Sequence, residues 1–150
     1  MLLHYPRCQL QQLHLGQNSQ KAQNIYDHLR GWKAHNVPLA AGVKIIENHF
    51  IIVALDESKN GASGCSIDSS VGVVRAIMKN YKVDLLNRMI FAYLENDKVE
   101  LVNRLDFVNM IKEGKITDDT IVFNNLVKDK AEFESKWEVR LVDSWHKQLA

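Results

Sequence analysis

The order of strand and helix patterns predicts an α+β fold with a ferredoxin-like antiparallel sheet and two helices on one face. Apolar runs with strand character come in pairs separated by short polar turns, and two stretches repeat apolar residues at helical spacing. Up to Val102 the order is strand, helix, strand, strand, helix, strand, strand. We therefore expect a single domain over 1–150, with a ferredoxin-like core at 1–103 and a C-terminal α/β extension at 104–150 packed on it.

The first part of the chain predicts a strand, a helix and a hairpin. Cys8–Leu15 is a weak strand candidate. A helix follows, with a cap at Asn18 or Ser19, and apolar residues on one face at Ala22, Ile25, Tyr26, Leu29 and Trp32. The apolar runs Val43–Ile46 and Phe50–Leu55 flank a short polar turn, so we expect them to pair as an antiparallel hairpin.

A second helix and a second hairpin follow a Gly-rich polar junction. The helix runs to about Tyr81, with its apolar face formed by Ile67, Val71, Val74, Ile77, Met78 and Tyr81. The runs Met89–Leu94 and Val99–Val102 then flank Glu95-Asn96-Asp97, a sequence typical of a tight turn. These segments complete the predicted core.

The extension is predicted to contain two helices and a short strand. Asn103 and Asp106 resemble a capping pair for a helix over Leu105–Glu113, which Gly114 would end. Ile121-Val122-Phe123 is the strand, and Asp129 with Glu132 has capping-box spacing for the next helix. Trp137 and Trp145 are expected to hold the extension against the core, because two exposed indoles would form large apolar surfaces.

Composition narrows the class of protein. Hydrophobic residues make up 46% and charged residues 25% of 150 residues, and the formal net charge is +1. Such values are ordinary for a soluble globular domain and argue against nucleic acid as a partner. No apolar run approaches the roughly 20 residues that span a bilayer. The two cysteines, Cys8 and Cys65, have no metal-binding spacing, so we expect a reduced, cytoplasmic protein without metal or cofactor.

Cys65 is the candidate nucleophile. It lies in the junction that joins the end of a predicted buried strand to the start of the second helix. A helix N-terminus stabilises a thiolate, but a cysteine nucleophile also needs a base, for which His35, His49 and His146 are the histidines to inspect. The alternative is a small buried cysteine that packs under a capped helix.

The same junction is the candidate ligand site. Its polar residues are expected to gather at the start of the second helix, with Asn124 or Asn125 beside them; the set is Asp56, Ser63, Ser66, Asp68, Asn124 and Asn125. An anion or a small polar ligand would suit free backbone amides there. The alternatives are structural: Ser66 or Asp68 as a helix cap, Asp56 as a solvated strand end, and the asparagines as turn formers.

Several motifs resemble a family of small uncharacterised bacterial proteins often labelled "ABC transporter ATPase". The motifs are Trp32-Lys33-Ala34-His35, Gly64-Cys65-Ser66-Ile67-Asp68, Asp119-Thr120-Ile121-Val122-Phe123-Asn124-Asn125 and Asp143-Ser144-Trp145-His146. The label does not describe an activity of this sequence. A phosphate-binding loop needs G-x-x-x-x-G-K-[ST], whereas Gly61 and Gly64 are three residues apart and no lysine follows them.

A second resemblance covers Phe107–Asn125. An apolar helix, then Gly114-Lys115-Ile116, then Asp119-Thr120 and a short strand, is similar to the core of GYF-type modules. That resemblance implies binding of proline-rich peptides on an aromatic surface.

These observations favour a soluble, cytosolic binding or interaction protein without catalysis of its own, which takes an unknown small ligand or protein partner. The alternative is a thiol-dependent enzyme or a redox-responsive protein that uses Cys65 at a helix N-terminus.

Overall fold

The computed structural model describes residues 7–12, 24, 27, 41–47, 49–55, 75–76, 78–82, 84, 87–127 and 129–150. Most of the two predicted N-terminal helices therefore lies outside the described residues. Asn24 and Asp27 of the first helix are helical, as are 75–76 and 78–81 of the second. A hydrogen bond from the Tyr81 hydroxyl to the Asn24 carbonyl (3.2 Å) joins the two helical stretches.

The N-terminal strands form a three-stranded antiparallel sheet in the order β1-β3-β2. Its strands are β1 (Arg7–Gln12), β2 (Ala41–Ile46) and β3 (Phe50–Leu55). Ile46 pairs with Phe50, and the β2–β3 hairpin confirms the prediction made from its polar turn. Glu47 in that turn has φ 52°, and the His49 amide donates to the Ile46 carbonyl at 3.1 Å, so the chain reverses tightly.

A second, four-stranded antiparallel sheet has the order β5-β4-β6-β7. Its strands are β4 (Ile90–Glu95), β5 (Lys98–Asn103), β6 (Ile121–Phe123) and β7 (Glu138–Arg140). The β4–β5 hairpin is also confirmed. Asn96 and Asp97 both have positive φ, 51° and 60°, as a type I′ turn requires.

The fold is mixed α and β, but the predicted ferredoxin-like arrangement of the core is not confirmed. The described strands lie in two sheets, and β4 pairs with β6 through Tyr93 and Val122. Two strands assigned to the core by sequence thus share a sheet with two strands of the predicted extension. Both faces of β4 are apolar, as is typical of a strand that is buried in the centre of a sheet. A central strand has a neighbour on each edge, and for β4 these are β5 and β6.

Two helices follow the strand pattern as predicted. Helix α1 (Arg104–Lys112) is capped by Asn103, whose Oδ1 accepts from the Asp106 amide at 2.9 Å. It ends before Gly114, which has φ +71° and so favours glycine. Helix α2 (Lys130–Lys136) is capped by Asp129, whose Oδ1 accepts from the Glu132 amide at 2.9 Å.

Apolar side chains pack on both faces of the second sheet. The alternation along β4 explains why, since Ala92 and Phe91 point to opposite faces. One cluster joins the two sheets and α2: Phe50, Ile52, Ala92, Val99, Phe123, Val127, Phe133 and Trp137. The other lies under α1: Phe91, Tyr93, Phe107, Ile116, Val122 and Leu141.

Both Trp137 and Trp145 pack against earlier strands, while the predicted division into a core and an extension stays a prediction. Trp137 is 4% exposed, and its ring centroid lies 5.1 Å from that of Phe50 in β3. Trp145 is half-buried and lies 5.7 Å from the ring of Phe91 in β4. After β7, two short 3₁₀ helices at Leu141–Asp143 and Trp145–Leu149 carry the chain along the second cluster.

Among the described residues, no helix has the length and apolar character needed to cross a membrane.

Candidate functional site

The junction proposed from sequence lies outside the described residues. Cys65 belongs to it, together with Asp56, Ser63, Ser66 and Asp68. Both the nucleophile and the ligand-site hypotheses at this junction therefore stay predictions.

Asn124 and Asn125, the other two predicted site residues, lie in the turn after β6. The Asn124 amide donates to the Trp137 carbonyl at 2.7 Å, and its Oδ1 accepts from the Leu126 amide at 3.0 Å. Asn125 is half-buried, with its amide oxygen enclosed. Asn124 thus fills the turn-forming role that is common for asparagine.

A second group of polar residues is brought together by residues 141–150, here called the docked segment. Backbone hydrogen bonds fix its start: the Leu141 amide donates to the Thr120 carbonyl (2.8 Å), and the Val142 amide donates to the Asp118 carbonyl (3.1 Å). The Ser144 amide then donates to the Leu141 carbonyl at 3.1 Å. This tight turn directs His146 into the apolar cluster under α1.

His146 is enclosed by aromatic rings. It is 1% exposed and stacks on Trp145 with a centroid distance of 4.0 Å. The rings of Phe91 and Phe107 lie at 5.1 and 5.6 Å. Its Nδ1 is hydrogen-bonded to the hydroxyl of Ser144 at 2.7 Å, and Ser144 is itself buried.

Burial lowers the pKa of His146 from 6.5 to about 4. The aromatic neighbours would attract an imidazolium through cation–π contacts worth about 0.5–2 kcal/mol. The lowered pKa corresponds to a penalty of about 3 kcal/mol for the charged form. Desolvation therefore outweighs the aromatic attraction, and His146 is neutral at pH 7.

A hydroxyl hydrogen-bonded to an imidazole has the composition of a nucleophile and its general base. A reacting pair must also be reachable by a substrate. Ser144 is 7% exposed, and its histidine partner is covered by three aromatic side chains. The pair is therefore placed to hold the docked segment, with the hydroxyl satisfying a buried ring nitrogen.

Exposed ion pairs hold the docked segment from outside. Arg140 contacts Asp143 (3.0 Å) and Asp119 (3.4 Å), and Lys147 pairs with Asp118. Both hydrogen bonds and the charge of Asp143 raise the pKa of the Arg140 guanidinium. The pairs are solvent-exposed, so they orient the segment more than they stabilise it.

A different surface joins exposed apolar and basic side chains, and we call it the apolar corner: Arg88, Met89, Arg104 and Leu105. Met89 is 52% exposed and Leu105 is 70% exposed. The Arg104 amide donates to the Met89 carbonyl at 2.8 Å, so the start of β4 and the start of α1 adjoin. The Met89 amide is fixed by Asn87 Oδ1 at 2.9 Å.

The arginines of the apolar corner carry uncompensated charge. Arg88 and Arg104 are exposed, and neither forms an ion pair within the described part of the chain. Asp106, the neighbouring carboxylate of α1, accepts from Asn103 Nδ2 at 2.6 Å. The corner therefore combines apolar area with positive charge on ordered backbone.

Sequence reasoning missed both of these groups. The sequence analysis considers His146 only as a base for Cys65. The one available signal is that Ser144 and His146 are two positions apart in the sequence, close enough for their side chains to form a hydrogen bond. The sequence predicts that Met89 begins a strand and that Leu105 begins a helix, and neither pattern indicates that both side chains are exposed. No group of three His, Cys, Asp or Glu side chains suited to a metal occurs in the described ranges.

Searches of protein-family models, curated proteins and solved structures find nothing that matches this chain. The resemblance of its motifs to the small bacterial family therefore stays a prediction. Function has to be inferred from the chain's own residues and geometry.

Proposed function

We propose that this chain is a non-catalytic interaction protein, which binds an extended segment of a partner protein at the apolar corner. The partner segment carries apolar side chains and acidic residues. The observation that carries this proposal is the exposure of two large apolar residues, Met89 and Leu105, on two elements whose backbones meet at the Arg104–Met89 hydrogen bond.

Apolar exposure supplies the driving force. Complete burial of a leucine or methionine side chain is worth about 1.5–3 kcal/mol. Single exposed apolar residues are common on protein surfaces, but here the backbone hydrogen bond from Arg104 to Met89 brings two elements together that each carry one, Met89 and Leu105. A partner that covers both residues gains more binding free energy than a partner that covers only one of them.

The neighbouring strand favours an extended partner. Among the described strands β5 has β4 as its one neighbour, so its other edge pairs with no described strand and we treat it as open. An open edge can accept a further strand, whose backbone hydrogen bonds supply affinity while nearby side chains supply specificity. Leu105 follows β5 by two positions and lies where such a segment would leave the strand.

Charge defines the chemistry of the partner. Arg88 and Arg104 flank the apolar residues, and arginine and methionine are enriched in protein interfaces. An acidic residue on the partner would meet an uncompensated guanidinium and speed association by electrostatic attraction.

The second candidate surface is less suited to this role. The resemblance to GYF-type modules implies an aromatic surface for proline-rich peptides. Here Phe91 and Phe107 are buried beneath the docked segment, at 5% and 0% exposure. The apolar corner is open, which supports it as the binding surface.

We place this activity in the cytoplasm as part of the proposal, because two cysteines without pairing or metal spacing are typical of reduced proteins.

The experiment is a selection of peptides from a random display library on the purified chain. We expect the selected peptides to combine apolar and acidic residues, and we expect Leu105→Asp to lower their affinity at least tenfold. Leu126→Asp is the matched control, because Leu126 is 61% exposed in the turn after β6, away from α1. Selection of proline-rich peptides, or equal loss in both variants, would contradict the proposal.

A further inference from the structure

We propose that the docked segment is an acid-sensitive latch, which leaves the apolar cluster under α1 when His146 is protonated while the two sheets stay folded. This behaviour does not depend on partner binding at the apolar corner.

The surroundings of His146 favour an uncharged ring. His146 is among the fully buried side chains, with Phe91 of β4 and Phe107 of α1 against it. Its Nδ1 is bonded to a hydroxyl rather than to a carboxylate. A proton on the ring therefore places a positive charge among aromatic side chains, with no anionic partner among the described residues.

In the described part of the chain, no ion pair or charge-assisted hydrogen bond to the ring compensates that proton. The ionisable residues on the packed elements are Glu95 and Tyr93 of β4, Arg104, Asp106 and Lys112 of α1, and Asp143 and Lys147 of the docked segment. All except Tyr93 are exposed. The pKa of His146 is lowered by burial alone, and that of the Tyr93 phenol is raised mainly by burial, so Tyr93 is neutral in acid.

The docked segment can detach without breaking a sheet. It begins after Arg140, the end of β7, and two backbone hydrogen bonds, at Leu141 and Val142, tie it to residues 118–120. Its other attachments are side-chain contacts: Leu141, Trp145 and Leu149 on the cluster, and the exposed ion pairs of Asp143 with Arg140 and Lys147 with Asp118.

The linkage sets the size of the effect. A histidine whose pKa is about 4 when docked and about 6.5 when released favours release as pH falls between these values. From pH 7 to pH 5 the ratio of released to docked segment should rise about 20-fold.

Hydrogen–deuterium exchange of the full chain, followed by mass spectrometry at pH 7 and pH 5, tests the latch. After correction for the pH dependence of intrinsic exchange, we expect peptides within 141–150 to gain about 20-fold in exchange. Peptides from β4 and α1 should keep their protection. The variant His146→Gln keeps a neutral polar side chain, and its docked segment should show no such gain.

Three results would overturn the latch. The docked segment of the wild-type chain keeps its protection at pH 5, or β4 and α1 lose protection in parallel with it, or His146→Gln responds to acid like the wild type. If His146→Gln does not fold, an NMR titration of the wild-type His146 ring replaces it. A midpoint below pH 6 that coincides with loosening supports the latch, and a midpoint near 6.5 contradicts it.

Discussion

At the scale of single residues, the large apolar side chains divide into a buried group that builds the fold and an exposed group. Phe50 is 0% exposed and contacts Phe123 and Trp137 at centroid distances of 4.8 and 5.1 Å. Leu105 lies at the opposite extreme, since 70% of it is exposed. Truncating the first should affect stability, whereas changing the second should affect binding.

Phe50→Ala should lower the free energy of unfolding by about 3–5 kcal/mol, because it opens a cavity between the two sheets. Denaturant titration at pH 7 measures the change. Trp145→Ala should cost less, because Trp145 is half-buried. Leu126→Ala is the exposed control and should stay within about 0.5 kcal/mol of the wild type. A Phe50→Ala midpoint equal to that of the control would show that the sheets do not pack through this ring.

Cys65→Ser separates the interaction proposal from the thiol alternative. If the apolar corner binds the partner, the variant should bind a selected peptide with unchanged affinity, since serine removes the thiol and keeps nearly the same volume. Fluorescence anisotropy with a labelled peptide measures the affinity. Loss of binding in a folded Cys65→Ser protein would instead favour a function that uses the thiol.

At the scale of elements, turn and cap chemistry made much of the fold predictable. The Glu47-Asn48-His49 and Glu95-Asn96-Asp97 turns identified both hairpins, because these residues tolerate the positive φ that tight turns need. Asn103 and Asp129 likewise marked the starts of α1 and α2. Local signals of this kind extend over only a few residues. They therefore indicate where helices, strands and hairpins lie, but not which strands distant in sequence pair with each other.

The cap of α1 also positions the apolar corner. Asn103→Ala should cost about 1 kcal/mol of stability and should weaken peptide binding, because Leu105 lies in the first turn that Asn103 orders. Asp129→Ala removes the equivalent cap of α2 and should cost a similar amount without an effect on affinity. Thermal unfolding and anisotropy measure the two effects. Equal affinity in the two variants would mean that the start of α1 does not contribute to the site.

At the scale of the whole molecule, the pairing of strands outside the two hairpins could not be predicted from the sequence. The second neighbour of β4 in its sheet is β6, a strand of three residues. The two strands pair through Tyr93 and Val122. So short a strand carries little sequence signal about which strand it pairs with. The order of the predicted helices and hairpins instead suggests the ferredoxin-like arrangement. The burial of His146 was hidden for a similar reason, since it depends on rings far away in sequence.

The burial of His146 predicts how stability depends on pH. The folded pKa of about 4 lies below the unfolded value near 6.5, so the unfolded chain binds more protons between these values. The contribution of His146 to the free energy of unfolding is complete above pH 6.5 and is lost as the pH falls towards 4. From pH 7 to pH 5 the free energy of unfolding should fall by up to about 2 kcal/mol. Denaturant titrations should show a smaller fall in His146→Gln, and an equal fall would assign the effect to other groups.

The most direct test of the central claim is an NMR titration of the isotope-labelled chain with a selected acidic, apolar peptide at pH 7. Binding at the apolar corner predicts backbone shift changes concentrated at Arg88, Met89, Arg104, Leu105 and the open edge of β5. It also predicts that Leu105→Asp abolishes these changes and Leu126→Asp preserves them. Shift changes confined to the docked segment or to the junction around Cys65, with the apolar corner unperturbed, would contradict the claim.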